Sequence, residues 1–244
     1  MGASKGMIRF IFLGGLFPKE TESLLLSKSK GNFQVAANVL QWGIVHGIEM
    51  VVGYPLTIVT APFLGDYPSD YKDIFVEGCD FSHVMGADDY SVGFLNLKIL
   101  NMFSKYFECK KVLSEIFSKQ INQETCIIVY GMFAYLLASA AHIKTKHPMI
   151  KICLVIPDLP EMMGGDTNRL IIKIFNYLNS IALRKYLKSV DCFVLLSEHM
   201  AEKISVGQRP WCVVEGIAGV GETEICSIPK TDKKLIVLYS GTLA

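Results

Sequence analysis

Short apolar runs rich in β-branched residues alternate along this chain with longer stretches of helical periodicity, and no other feature limits the possible folds as strongly. The runs are Ile8–Gly15 (IRFIFLGG), Leu56–Thr60, Cys126–Tyr130, Lys151–Ile156, Cys192–Leu196 and Trp211–Val214. Helical patterns fall between them at Val35–Gly47, Phe94–Lys119, Met132–Lys144, Asn168–Ser189 and Glu198–Ile204. Strands that are apolar at nearly every position are buried on both faces, and buried strands separated by helices form a parallel sheet. The expected fold class is therefore α/β, a Rossmann-like parallel sheet flanked by helices.

Composition supports a packed core: 51% of the 244 residues are hydrophobic and only 19% charged, well away from the disordered class. Lys plus Arg (24) and Asp plus Glu (23) cancel to a net charge of +1. That balance lacks the bulk electrostatic footprint of a dedicated nucleic-acid binder, so no nucleic-acid partner is expected. The seven cysteines are scattered and form no C-x-x-C pair. They read as small buried hydrophobes in a reducing compartment, which makes the cytoplasm the expected location. Residues 1–6 read as a leader or tag ahead of a second methionine, Met7. The apolar stretches read as too short or too interrupted for a membrane-spanning helix of about 20 residues.

In a parallel sheet, ligands gather at the carboxyl ends of the strands, so the residues that follow each strand are the candidates. Gly14-Gly15 ends the first strand, where a missing Cβ permits close backbone approach to a phosphate or sugar. No G-x-G-x-x-G fingerprint follows, which argues against an ordinary nicotinamide-cofactor turn. Asp158, in Pro157-Asp158-Leu159-Pro160, follows KICLVI. Ser197 and Glu198 follow CFVLL, with Ser197 also suited to capping the next helix. Glu215 follows the last of these strands. The histidines make no H-x-x-x-H or H-E-x-x-H pair, so no metal is inferred. Two polar connections, 14–32 and 77–91, are long enough to be functional or mobile loops. His83, Asp88 and Asp89 in the second form a polar cluster or, the favoured reading, solvated loop residues. The helix NRLIIKIFNYLNSIALRKYLKS places Leu170, Ile171, Ile174, Phe175, Leu178, Ile181 and Ala182 on an apolar face. Arg169, Lys173, Arg184, Lys185 and Lys188 fall on a basic one, either solvated or in contact with an anionic membrane surface.

The ordered set of the first strand with Gly14-Gly15, KGNFQVAANVLQWGIVHGIEM, Pro157-Asp158-Leu159-Pro160, VDCFVLLSEHMAEKI, PWCVVEGIA and KLIVLYSGTLA resembles a known family. It is similar to the amino-terminal domain of GT-B glycosyltransferases, of the family-4-like retaining type that builds bacterial polysaccharides and glycolipids. The resemblance implies two Rossmann-like domains facing each other across a cleft. Residues 7–215 would be the acceptor-side domain, 216–234 an interdomain linker, and 235–244 the first strand of a truncated donor domain. It also implies a hexosyltransferase whose nucleotide-sugar donor is a substrate, with no separate cofactor or metal, and whose acceptor is a saccharide or lipid-linked. Gly14 and Gly15 would approach the donor diphosphate and Asp158 would lie near the reacting sugar. Asn32, Ser197, Glu198 and Glu215 would bind donor or acceptor. Such a chain would act with its missing carboxyl-terminal domain, contact the inner face of the membrane peripherally, and be inactive alone. A non-catalytic α/β binding module and another nucleotide-dependent Rossmann enzyme remain open alternatives.

Overall fold

The computed structural model describes residues 8–31, 34–119, 123–159, 170–204 and 206–216. Its centre is strand β1 (Arg9–Gly14), followed by helices α1 (Lys19–Lys28) and α2 (Val35–Val52) and then β2 (Thr57–Thr60). Four short strands come next: β3 (Phe75–Val76), β4 (Cys79–Phe81), β5 (Asp89–Ser91) and β6 (Phe94–Leu95). Thereafter helix and strand alternate through α3 (Leu100–Lys119), β7 (Thr125–Tyr130), α4 (Ala134–Lys146), β8 (Lys151–Ile156), α5 (Leu170–Leu187), β9 (Cys192–Leu195), α6 (His199–Ile204) and β10 (Trp211–Val213).

Eight strands form one sheet in the order β10-β9-β8-β7-β1-β2-β5-β4. All neighbours are parallel except β4, which runs antiparallel to β5. The expected α/β class with a parallel, Rossmann-like sheet is what the chain adopts. Alternation along the strands divides the core in two. Ile11, Leu13, Ile127, Val129, Ile152, Leu154, Phe193 and Leu195 face α3, α4, α5 and α6. Phe12, Ile58, Ile128 and Tyr130 face α2 through Trp42, Ile44 and Val45. The two-stranded antiparallel sheet of β3 and β6, with α1, carries a third, small cluster of Phe17, Leu25, Tyr71, Val76 and Phe94.

Several expectations change. The connection 14–32 contains α1, which sequence periodicity misses because Leu25 is its one buried residue. Its signals are electrostatic: Glu20 and Glu22 in the first turn and Lys28 in the last complement the helix dipole. The stretch 77–91 is not a free loop; β4 and β5 extend the sheet, with strands too short to show a period of two. Phe94 begins no helix, since it pairs with Val76 and α3 starts at Leu100. Helix α2 is long and apolar enough to cross a membrane by length and composition, contrary to the reading of its sequence. Its buried Asn38 and Gln41 hydrogen-bond the loop after β1, so it packs on the sheet. In α5, Leu178 and Ile181 are 57% and 46% exposed, whereas Leu183 is buried and Ala182, Tyr186 and Leu187 pack on the core. Over 177–187, the part of the helix whose side chains are described, the inward face runs through Ala182, Leu183 and Tyr186 rather than Leu178 and Ile181. Asn32 and the strand expected at Leu235–Tyr239, with the linker from residue 217, lie outside the described residues.

Candidate functional site

The chain leaves β1 for β2 on one side and later returns to β7 on the other, so the strand order reverses between β1 and β7. In open α/β sheets the crevice beyond the carboxyl ends at such a reversal is the usual ligand site. Gly14-Gly15, Ala61–Phe63 and Gly131–Phe133 follow the three strands that surround it, and Asp158 follows the next strand outward.

The loop after β1 is fixed from within the protein. Gly15 N–H donates to Gln41 Oε1 at 2.7 Å, and Phe17 N–H donates to Asn38 Oδ1 at 2.8 Å. The carbonyls of Gly14 and Gly15 accept from the N–H groups of Ala61 and Phe63, both at 3.0 Å. Thr60 Oγ1 donates to Leu16 O at 2.7 Å and Trp42 Nε1 to Phe17 O at 3.2 Å. A Cβ on Gly15 would lie 2.0 Å from the Phe63 ring, and one on Gly14 2.5 Å from Gln41 Oε1. Glycine is required here because side chains of this chain occupy the space. The Gly15 N–H is engaged by Gln41 within the protein, so it is not a free donor for a diphosphate at this turn.

Aromatic rings line the crevice. Half-buried Phe63 and Phe133 have ring centroids 4.6 Å apart, and buried Tyr130 lies 6.2 Å from Phe63. Gly131, at φ +80°, makes the turn that carries Phe133; its N–H donates to Val155 O at 2.8 Å, and a Cβ there would meet Phe133 at 2.6 Å. Asp158 is exposed. Burial and the charge of Asp158 both hold the proton on the Tyr130 phenol, pushing its pKa up. Beneath this rim Lys105 is buried, its Nζ donating to Pro62 O at 3.3 Å and lying 4.2 Å from the Phe94 ring centroid. Burial lowers its pKa to about 8.

The remaining candidates share the rim but not the crevice. At about 4.8 Å per strand, the ends of β9 and β10 lie roughly 14 and 19 Å from that of β1. Ser197, whose carbonyl accepts Met200 N–H at 3.2 Å, and exposed Glu198 follow β9; exposed Glu215 follows the edge strand. By the same spacing Asp158, two strands from β1, lies roughly 10 Å from Gly14-Gly15, and Ser197, Glu198 and Glu215 lie progressively further out.

No protein-family model matches the chain, and no curated protein matches it. The site has to be read from its own chemistry.

A second polar constellation sits at the opposite, amino ends of the strands. His83 Nδ1 lies 2.6 Å from Asp89 Oδ2 and Nε2 lies 2.7 Å from Glu49 Oε1. The His83 and Asp89 side chains are 1% and 0% exposed, which corrects the solvated-loop reading for these two, while Asp88 is exposed as that reading has it. Asp89 also accepts the N–H groups of Ile58 (2.8 Å) and His83 (2.9 Å), and Glu49 accepts that of Leu56 (2.9 Å). Burial alone would lower the imidazole pKa; hydrogen bonds to Asp89 and Glu49, with their charges, outweigh it and raise the value above 6.5. An open depression of about 570 Å³ lies beside it, lined by His46, Glu49, Met50, Tyr54, Pro55 and Val84. Its one acid is already bonded to His83, so this hollow offers a ligand less unengaged chemistry than the rim does.

Asn38, Gln41 and Glu49 escape the sequence reading. A signal for the first two exists: carboxamides three residues apart, on one face of an otherwise apolar helix. Phe63 and Phe133 carry no signal apart from their position just after strands.

Proposed function

We propose that the chain is the acceptor-side domain of a GT-B-type glycosyltransferase, moving a sugar from a nucleotide-sugar donor to a saccharide or lipid-linked acceptor. The observation that supports it most is the pair of half-buried rings, Phe63 and Phe133, at the strand-order reversal, with the exposed carboxylate of Asp158 after the next strand near enough to act on Tyr130. Sugar rings present polarised C–H bonds that suit the negative face of an aromatic ring, and a carboxylate accepts hydrogen bonds from two hydroxyls. Asp158 orients the sugar in this reading. Gly14 and Gly15 shape the floor, and the donor diphosphate is met by a second domain. Glu198 and Glu215, further out, reach a longer acceptor.

Isothermal titration with UDP-, GDP- and ADP-sugars tests the proposal. Binding is expected once the chain is extended into a donor domain beyond Ala244, and not with the 244-residue chain. An extended protein that binds none of the three sinks it. A second reading, a non-catalytic α/β binding module, draws on the engagement of Gly15 N–H by Gln41, and it prevails if no donor binds.

A peripheral membrane contact belongs to the same proposal. The exposed face of α5 carries Tyr177, Leu178 and Ile181 next to Arg184, Lys185 and Lys188, and no acidic residue occurs between Leu170 and Leu187. Apolar and basic groups on one exposed helix face suit an anionic bilayer. Co-sedimentation with anionic vesicles should fall in the Arg184→Glu, Lys185→Glu, Lys188→Glu variant; equal sedimentation leaves a solvated face.

A further inference from the structure

Four of the cysteines that are scattered in sequence come together in the sheet. Cys126, Cys153, Cys192 and Cys212 sit on the adjacent strands β7, β8, β9 and β10. Cys126 and Cys153 border the α2-side cluster, as does Val194. Cys192 is two residues from Val194 in β9, and Cys212 pairs directly with Val194, so strand alternation puts all four thiols on that face. Helix α2 covers the β1 and β2 part of it. Cys126, Cys153 and Cys192 are half-buried and Cys212 is exposed.

Within this row Cys153 and Cys192 are register partners. Residues paired across neighbouring strands lie about 4.8 Å apart, inside the Cα separations of roughly 4.4–6.8 Å that disulfides bridge. Cys126 and Cys212 are each offset by two residues from this pair, since Cys126 is opposite Lys151 and Cys212 opposite Val194. Among the described residues no three Cys, His, Asp or Glu side chains converge as metal ligands do, so the row offers pair chemistry.

We propose that Cys153 and Cys192 are a redox-active dithiol that closes to an intrachain disulfide between β8 and β9 when the protein meets a hydroperoxide. The Cys192 thiolate attacks one peroxide oxygen, the O–O bond breaks, and the alcohol leaves with a proton from solvent. Cys192 is then a sulfenic acid. The Cys153 sulfur displaces its hydroxyl, which departs as water with the Cys153 proton, and the S–S bond forms. Two thiols are oxidised by two electrons in total, and one hydroperoxide is reduced to an alcohol and water. The roles follow from the environment. The Cys153 S–H stabilises the neighbouring thiolate and so lowers the Cys192 pKa, while that interaction and burial raise that of Cys153. Burial likewise pushes Cys126 up to about 12. The thiolate is the reactive form, so Cys192 attacks and Cys153 resolves.

The test treats the 244-residue chain with hydrogen peroxide, alkylates free thiols, reduces, and labels the released thiols with a second reagent for peptide mapping. The expected result is loss of two hydrogen masses and second-label incorporation at Cys153 and Cys192 only. In Cys153→Ser, dimedone should trap a sulfenic acid at Cys192; in Cys192→Ser, no second label should appear. The wild-type map decides the matter even if a variant fails to fold. Oxidation confined to Cys212, disulfide-linked dimers, or an unchanged count of free thiols would each overturn the proposal.

Discussion

The two ends of the sheet use the same residue types in opposite ways. At the amino ends, acids are engaged: buried Asp89 accepts Ile58 N–H and the His83 ring, while half-buried Asp191 accepts Ile152 N–H at 2.7 Å and the Lys144 ammonium at 2.6 Å. Each ties the start of one strand to its neighbour. At the carboxyl ends, Asp158, Glu198 and Glu215 are exposed, and the bonds that shape the β1 loop come from the uncharged Asn38 and Gln41. Carboxylates at one end hold the strands in register; at the other they remain available to a ligand. The fold is locked at the amino ends of the strands and left open where the strand order reverses.

The difference predicts a graded series of substitutions. His83→Ala should cost most, because it leaves Glu49 and Asp89 facing each other without a cation; removing one partner of a buried pair costs about 3–5 kcal/mol. Urea unfolding measures it, and a loss confined to the range of ordinary surface substitutions would erase the contrast between the ends. Gly15→Ala should follow, at about 1–3 kcal/mol, as its Cβ forces Phe63 aside. Smaller still is a dependence on pH. The folded His83 pKa is raised, so its contribution is complete below 6.5, the unfolded value, and is lost as pH rises through the folded value. Stability should therefore decline as the pH rises above 6.5. Above about 8, Lys105, whose folded pKa is the lowered one, adds stability with rising pH and opposes the trend. Urea midpoints across this range should slope downwards in the wild type by at most about 1.4 kcal/mol per pH unit from one group, and flatten in His83→Ala.

The asymmetry was only half legible in the sequence. Strands β1, β2, β7, β8 and β9 announce themselves because each is an apolar run largely buried between layers, β10 shows as a shorter apolar run at the exposed edge, and the carboxyl ends mark Gly14, Gly15 and Asp158 without any structure. Long-range pairing is invisible to such reasoning. Glu49 and His83 are 34 residues apart, and nothing local distinguishes a buried ion pair from two loop residues. Strands of two or three residues carry no period, so β4 and β5 read as loop and β6 as the start of a helix, and nothing in the sequence marks β3. The cysteine row fails for a related reason: one thiol per strand looks scattered until register aligns the strands. Gly14-Gly15 was located correctly, but its local cause differs. A glycine pair permits close approach by anything, and Phe63 and Gln41 are what approach.

The weakest expected effect on folding carries the functional half of the comparison. Asp158→Asn keeps the size of an exposed side chain and removes only its charge, so the urea midpoint should match that of the wild type. If the carboxylate orients a sugar at the rim, the same variant in the donor-extended protein should lower kcat/KM for transfer by about 10- to 100-fold, the worth of one hydrogen bond to a charged group. Glu215→Gln, at the far edge of the sheet, should change transfer less, and only with longer acceptors. An Asp158→Asn variant that destabilises the fold but transfers normally would make the carboxyl rim structural, like the amino ends. One that folds and transfers less efficiently would separate the two ends by function.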